Sequence, residues 1–155
     1  MIRALLVDDE APARARLMAL LTAAGGISVV GEADNADAAR EAIARLTPDV
    51  VFLDIEMPAE RGTELAASLP EPRPFVVFAT AYERFAVDAF QYDAADYLLK
   101  PVNRQRLAQT LDRLRVKLAA RRDTEREWTA AARAQAHLLP QTLPVLPGYA
   151  IAART

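Results

Sequence analysis

Four short stretches hold residue types that can do chemistry together: Val7-Asp8-Asp9-Glu10, Asp54-Ile55-Glu56-Met57-Pro58, Thr80-Ala81 and Lys100-Pro101. Three carboxylates gathered at one point repel one another and favour protonation. A divalent cation reverses that preference. Carboxylate oxygens, a main-chain carbonyl and water form a hard octahedral shell, which selects Mg²⁺ over softer metals. Such a site could assist in-line attack of a carboxylate on a phosphoryl group. Asp54 is the best candidate nucleophile, because it ends the central strand. Lys100 would supply a fixed positive charge, and the Thr80 hydroxyl could reach a phosphoryl oxygen.

The elements that must position these residues are legible as short apolar runs. Ala4–Val7, Asp49–Leu53 and Phe75–Ala79 read as strands buried on both faces, and Ile27–Val30 and Tyr97–Leu99 as weaker ones. Between them Pro12–Ala24, Asp37–Leu46, Gly62–Leu69 and Arg84–Tyr92 have apolar residues at helical spacing. Asp9 or Glu10 before Pro12 marks a helix start, Gly25-Gly26 ends that helix and Pro48 stops the second. Alternating β and α elements predict right-handed crossovers and a doubly wound, five-stranded parallel sheet with helices on both faces. Ligands of such sheets bind at the carboxyl ends of the strands. Asp8, Asp54, Thr80 and Lys100 all fall at such ends. Gly62 and Glu64 read as helix-start punctuation, without a role in the site.

Composition suits a soluble protein with a real core. Of 155 residues, 52% are apolar and 26% charged. No cysteine is present, which excludes disulfides and thiolate metal sites. One histidine, His137, excludes a histidine metal cluster; a surface helix position is expected for it. No apolar stretch approaches the ~20 residues of a membrane span, and no signal peptide is visible. A cytoplasmic location is expected. Charge is divided unevenly: residues 1–103 carry 9 basic and 17 acidic side chains, a balance of −8, and residues 104–155 carry 10 and 4, a balance of +6. The basic tail lacks interleaved aromatics and a helix-turn-helix pattern, so it reads as a solvated helix face rather than a nucleic-acid site.

Taken together and in this order, the four motifs resemble the receiver domain of bacterial two-component response regulators, over residues 1–120. The resemblance implies a flavodoxin-like fold. It also implies that Asp54 accepts phosphate from a sensor histidine kinase, and that Asp8, Asp9, Asp54 and the Glu56 main-chain carbonyl hold Mg²⁺. Lys100 and Thr80 are then the phosphoryl-binding residues, Thr80 and Tyr97 the switch pair, and Pro101 the cis-proline. Glu56 and Tyr82 occupy the positions that tune phosphoryl lifetime. The stretch Ala81-Tyr82-Glu83-Arg84-Phe85-Ala86-Val87-Asp88-Ala89-Phe90 is similar to receivers that precede LytTR-type DNA-binding domains.

From Asn103 to Leu139 the chain has no glycine or proline, so the last receiver helix is expected to run on as a linker over residues 104–139. Leu107, Leu111, Leu114, Leu118, Arg121, Glu125 and Trp128 alternate by four and three, the spacing of a heptad seam. Two readings compete: a parallel coil that makes a homodimer, and one amphipathic helix packed on its own domain. The coil is the expectation, because the helix outruns the receiver. Residues 140–155 are proline-rich. Leu138-Leu139-Pro140, Leu146-Pro147-Gly148-Tyr149 and Ala152-Ala153-Arg154 resemble the start of PPM-type serine/threonine phosphatases. The expected protein is a receiver that controls a phosphatase output, in a chain that is itself no enzyme beyond self-phosphorylation. The alternatives are a LytTR-type transcription regulator and a stand-alone receiver.

Overall fold

The computed structural model describes residues 1–85 and 91–138, with the side chains of Phe85 and residues 136–138 excepted. Five strands, β1 (Ile2–Val7), β2 (Ile27–Ala33), β3 (Val50–Leu53), β4 (Phe75–Thr80) and β5 (Asp96–Leu99), form one parallel sheet in the order β2-β1-β3-β4-β5. Helices α1 (Ala11–Ala24), α2 (Ala36–Leu46) and α3 (Gly62–Ser68) connect the first four strands. A 3₁₀ turn at Glu83–Phe85 follows β4, and α4 (Arg104–Leu138) follows β5. The flavodoxin-like receiver fold is therefore present as expected. Of the helix expected over Arg84–Tyr92, residues 86–90 lie outside the described residues, as do the proline-rich residues 140–155 and the side chain of His137.

Strand periodicity explains how both faces are filled. Successive side chains point to opposite faces. Leu5, Val7, Val51, Leu53, Val76 and Phe78 join Ala39, Ala42 and Leu65 in one core layer. Ala4, Leu6, Val50, Phe52, Val77, Ala79 and Leu98 join Leu21 and the α4 leucines in the other. β1, β3 and β4 read as nearly unbroken apolar runs because both their faces are covered, whereas β2 and the end of β5 are partly exposed.

Local signals end the helices where the sequence places them. Pro12 sits in the first turn of α1, with Glu10 at the cap position and no side-chain cap bond. Gly25 closes the helix at φ 75°, and its N–H donates to the Leu21 carbonyl. Asn35 caps α2 by accepting from the Ala38 N–H at 2.8 Å. Asn103 does the same for α4, accepting from the Arg106 N–H at 2.7 Å.

The heptad reading of α4 needs correction. Leu107, Leu111, Leu114 and Leu118 are 1%, 1%, 0% and 4% exposed, buried against Phe52, Val77 and Leu98. They belong to the compact unit Met1–Leu118 and fill its second core layer. A row spaced by four and three covers a sheet as readily as a second helix, and here the sheet takes it. These four residues are therefore not free to form a dimer seam. The second unit begins at Ala119, directly after Leu118, and Trp128 within it is 74% exposed. Leu114→Ala should accordingly cost ~2–5 kcal/mol in urea unfolding, independent of protein concentration. Val116→Ala, at a site 71% exposed, should change stability by less than ~0.5 kcal/mol. A loss for Leu114→Ala that appears only at low protein concentration would restore the seam.

Candidate functional site

The sheet order determines where a site can form. β1 runs out to β2 on one side, and the chain then returns to β3 on the other. The crevice between the ends of β1 and β3 is the topological switch point. Asp8 follows β1 and Asp54 follows β3 at that crevice. Parallel pairing sets Val7 opposite Leu53, so the two aspartates leave the sheet at one level. The Asp54 N–H donates to the Val7 carbonyl at 2.9 Å, which fixes that level. One carboxylate oxygen from each of Asp8, Asp9 and Asp54 lies within 4.8 Å of the others. Asp8 and Asp54 are buried and Asp9 is exposed.

Lys100 enters from the end of β5. Its Nζ donates to Asp8 Oδ2 at 2.5 Å and to Asp54 Oδ2 at 3.4 Å. The Lys100 N–H donates to the Thr80 carbonyl at 2.8 Å, which ties the ends of β4 and β5. The Lys100–Pro101 peptide is cis, as the family resemblance implies. Burial opposes the lysine charge, but hydrogen bonds and attraction from Asp8 and Asp54 outweigh it and hold the ammonium above its ordinary value. Burial pushes the Asp54 carboxyl up to about 6; Lys100 pulls it down and Asp8 adds to the rise. The single lysine does not neutralise three acids. Exposed oxygens at Asp9 and paired oxygens at Asp8 and Asp54 suit a hard divalent cation, so the residues present fit Mg²⁺.

Thr80 is 0% exposed, and among the described residues its Oγ1 is the buried side-chain oxygen without a hydrogen-bond partner. An orphaned buried hydroxyl costs about 1–3 kcal/mol, which suits a partner that arrives later. The Glu56 N–H donates to Asp54 Oδ1 at 3.3 Å. The Glu56 carboxylate pairs with Arg84 at 3.6 Å, and the Arg84 guanidinium sits 4.8 Å from the Tyr82 ring centre. Tyr97 is half-buried; its hydroxyl donates to the Tyr82 carbonyl. Asp8, Asp9, Asp54, Lys100 and Thr80 thus gather at the strand ends, with Glu56 and Tyr82 beside them. Leu107, Leu111, Leu114, Leu118 and Trp128 belong elsewhere.

Two features of the site escape a reading of the sequence. A Cβ added at Gly62 would lie 2.1 Å from the Asp54 carbonyl oxygen, so only glycine lets α3 start against the aspartate loop. The Gly62 N–H donates to the Ile55 carbonyl at 2.9 Å and closes that loop. The second feature is Asp96, buried at the start of β5. Arg106 grips both its oxygens, at 2.6 and 2.9 Å, and Thr110 and Arg113 add bonds at 2.7 and 3.0 Å. Burial would raise this carboxyl, but the bonds from Arg106, Thr110 and the Tyr97 N–H prevail and lower it to about 2. The signal was present: Arg106, Thr110 and Arg113 each precede a buried leucine, forming a polar row along the apolar one.

Residues 4–112 match the response regulator receiver domain family. Transcriptional regulatory protein BtsR of Salmonella typhi is 50% identical over 116 residues, 74% of this chain and 48% of that protein. A response regulatory protein of Vibrio vulnificus is 45% identical over 148 residues, 95% of this chain and 58% of that protein. The response regulatory domain of protein mrkE from Klebsiella pneumoniae superposes with a TM-score of 0.68 at 32% identity, over 75% of this chain and 97% of that one. The chain spans about half the length of these curated relatives. Among the described residues, no helix is long and apolar enough to cross a membrane.

The Asp54 carboxyl has a sign that can be tested. Its folded value lies above the ordinary 3.8, so its contribution to stability is complete below pH 3.8 and lost as pH rises through about 6. In EDTA, Asp54→Asn should therefore gain stability over the parent as pH rises from 4 to 7, and Mg²⁺ should shrink the gap. A stability difference that does not change with pH, read from urea melts, would refute the raised value. Gly62→Ala should cost ~1–3 kcal/mol in urea unfolding, and an unchanged unfolding midpoint would show that the loop beside Asp54 has room for a side chain. The fold, the strand-end acids and the match over residues 4–112 lead to one statement: this chain belongs to the response regulator receiver domain family, and carries the receiver domain of a two-component response regulator.

Proposed function

We propose that Asp54 is the phosphoacceptor of this receiver and that its phosphorylation state governs a transcription-regulating output beyond the receiver. The observation that carries the first part is a buried carboxylate, held 3.4 Å from Lys100 Nζ, beside a buried hydroxyl that lacks a partner. A phosphorylated histidine of a sensor kinase is the physiological donor. An Asp54 oxygen forms the new P–O bond while the bond from phosphorus to the donor breaks. Asp8, Asp9, Asp54 and the Glu56 main-chain carbonyl would hold Mg²⁺, which would supply positive charge against the phosphoryl oxygens. Lys100 is already poised between two carboxylates and transfers its pairing to a phosphoryl oxygen. Thr80 Oγ1 then gains the acceptor it lacks, and the loop from Thr80 to Tyr82 moves with it. A ligand shifts an equilibrium only through contacts that differ between states, and this bond is such a contact. Glu56 and Tyr82 flank the acceptor and tune access of water to it.

The output is read from the relatives. Receivers of the same sequence type belong to proteins named as transcriptional regulators. The match to the Vibrio vulnificus protein runs past residue 112, the end of the receiver match, into the helix and tail. The name of the BtsR relatives supports transcription control over the phosphatase start read in residues 140–155, and a LytTR-type domain is the candidate from the receiver's own sequence. The domain plan proposed is a receiver over 1–120, a helical linker over 104–139 and the beginning of the output after it. With the α4 leucines occupied, dimerisation falls to the distal helix, where Trp128 is exposed.

Mg²⁺ and a small phosphodonor should add one phosphoryl group to the parent chain, read as a mass gain. Asp54→Asn should show no gain, and EDTA should block the reaction. Modification of Asp54→Asn at the parental rate would end this assignment. Thr80→Ala should accept phosphate yet show a smaller conformational response to beryllofluoride. In the gene, a basic β-rich segment after residue 155 supports transcription control, whereas strand-ending aspartates there restore the phosphatase.

A further inference from the structure

We propose that Arg106 is the coupling residue that carries the state of the Asp54 site from β5 into the C-terminal helix. The inference rests on Asp54 being the phosphoacceptor, and it concerns a residue outside the site. Two bonds on the strand side make the case. The Tyr97 hydroxyl is tied to the Tyr82 carbonyl, two residues beyond Thr80. The Tyr97 carbonyl accepts from Arg106 at 2.9 Å. Tyr97 thus connects the loop after Thr80, through its side chain, to α4, through its main chain.

On the helix side Arg106 sits in the first turn, where Asn103 holds its N–H. A pull on its guanidinium acts directly on the start of the helix. Only four residues separate β5 from α4, and one is Pro101, so little slack exists between them. The guanidinium engages both Asp96 oxygens, the Tyr97 carbonyl and Thr110 Oγ1 at once. Lysine cannot reproduce this, because an ammonium lacks the planar fork that serves several acceptors. Arg113 also binds Asp96, at 3.0 Å, and is 57% exposed at its side chain. It braces the same carboxylate without a bond to Tyr97 in that network, which makes it the natural control.

The test uses the full chain, Mg²⁺ and beryllofluoride, followed by NMR. The parent should show shifts around Thr80 and Tyr97 and in residues 104–118. Arg106→Lys should keep the shifts around Thr80 and reduce those in the helix about fivefold, the lower range of coupling between sites. Arg113→Ala should keep both sets although it too removes an ion pair from Asp96. A full helix response in Arg106→Lys overturns the proposal, as does an equal loss in Arg113→Ala, which would assign the effect to the Asp96 brace in general. If Arg106→Lys does not fold, the guanidinium ¹⁵N signals of the unmutated chain decide. They should move for Arg106 on adding beryllofluoride, and unmoved signals overturn the proposal. A parent with no beryllofluoride response anywhere fails at the Asp54 assignment, and a parent that responds at Thr80 but fails these helix readouts fails at Arg106 alone.

Discussion

The structure depends on holding Asp8, Asp9 and Asp54 within 4.8 Å of one another at the edge of a sheet, with one lysine against them. Such a cluster is unfavourable by itself: it desolvates two carboxylates and sets like charges together. The rest of the domain makes it tolerable. Parallel pairing of β1 and β3 fixes the level of Asp8 and Asp54, and the β4–β5 pairing delivers Lys100. Two dry core layers hold those strands rigidly enough that the charges cannot move apart. A destabilised arrangement of this kind is a place where function draws on stability stored elsewhere.

The same economy governs α4. Its first half completes the second core layer, so Leu107, Leu111, Leu114 and Leu118 are part of what keeps β4 and β5 in place. Beside that apolar row runs a polar one. Asp96 is a buried acid at the head of a strand, and an isolated buried charge would be costly. Arg106, Thr110 and Arg113 satisfy it fully. The edge strand β5, which leads into Lys100, is thereby bonded to the start of α4.

Gly62 shows how little room the site has. α3 begins against the Asp54 carbonyl, and any side chain there would displace it. Arg40, on α2, reinforces the same loop by a bidentate ion pair with Glu60, whose carboxyl it holds below the ordinary range. The loop from Asp54 to Gly62 is thus positioned from the sheet, from α2 and from α3, while the Thr80 hydroxyl has no hydrogen-bond partner among the described residues.

The sequence by itself determined the strand order of events along the chain and the placing of its acids, hydroxyl and lysine. Unbroken apolar runs and helix-spaced segments alternate clearly, and strand ends are where such sheets bind ligands, so the order of Asp8, Asp54, Thr80 and Lys100 was enough to name them. It also carried the stop at Gly25, while the cis bond at Pro101 was expected only from the family resemblance. Tertiary structure alone decided what depends on partners distant in the chain. Spacing by four and three is shared by helices that face a helix and helices that face a sheet, so the destination of the α4 leucines required the sheet itself. Gly62 carries no chemical group, and its role exists only because the Asp54 carbonyl passes beside it. Asp96 reads as an ordinary surface acid until β5 places it under Arg106. Periodicity records which face of an element is apolar. It does not record what that face meets, because the meeting is a property of the packed chain.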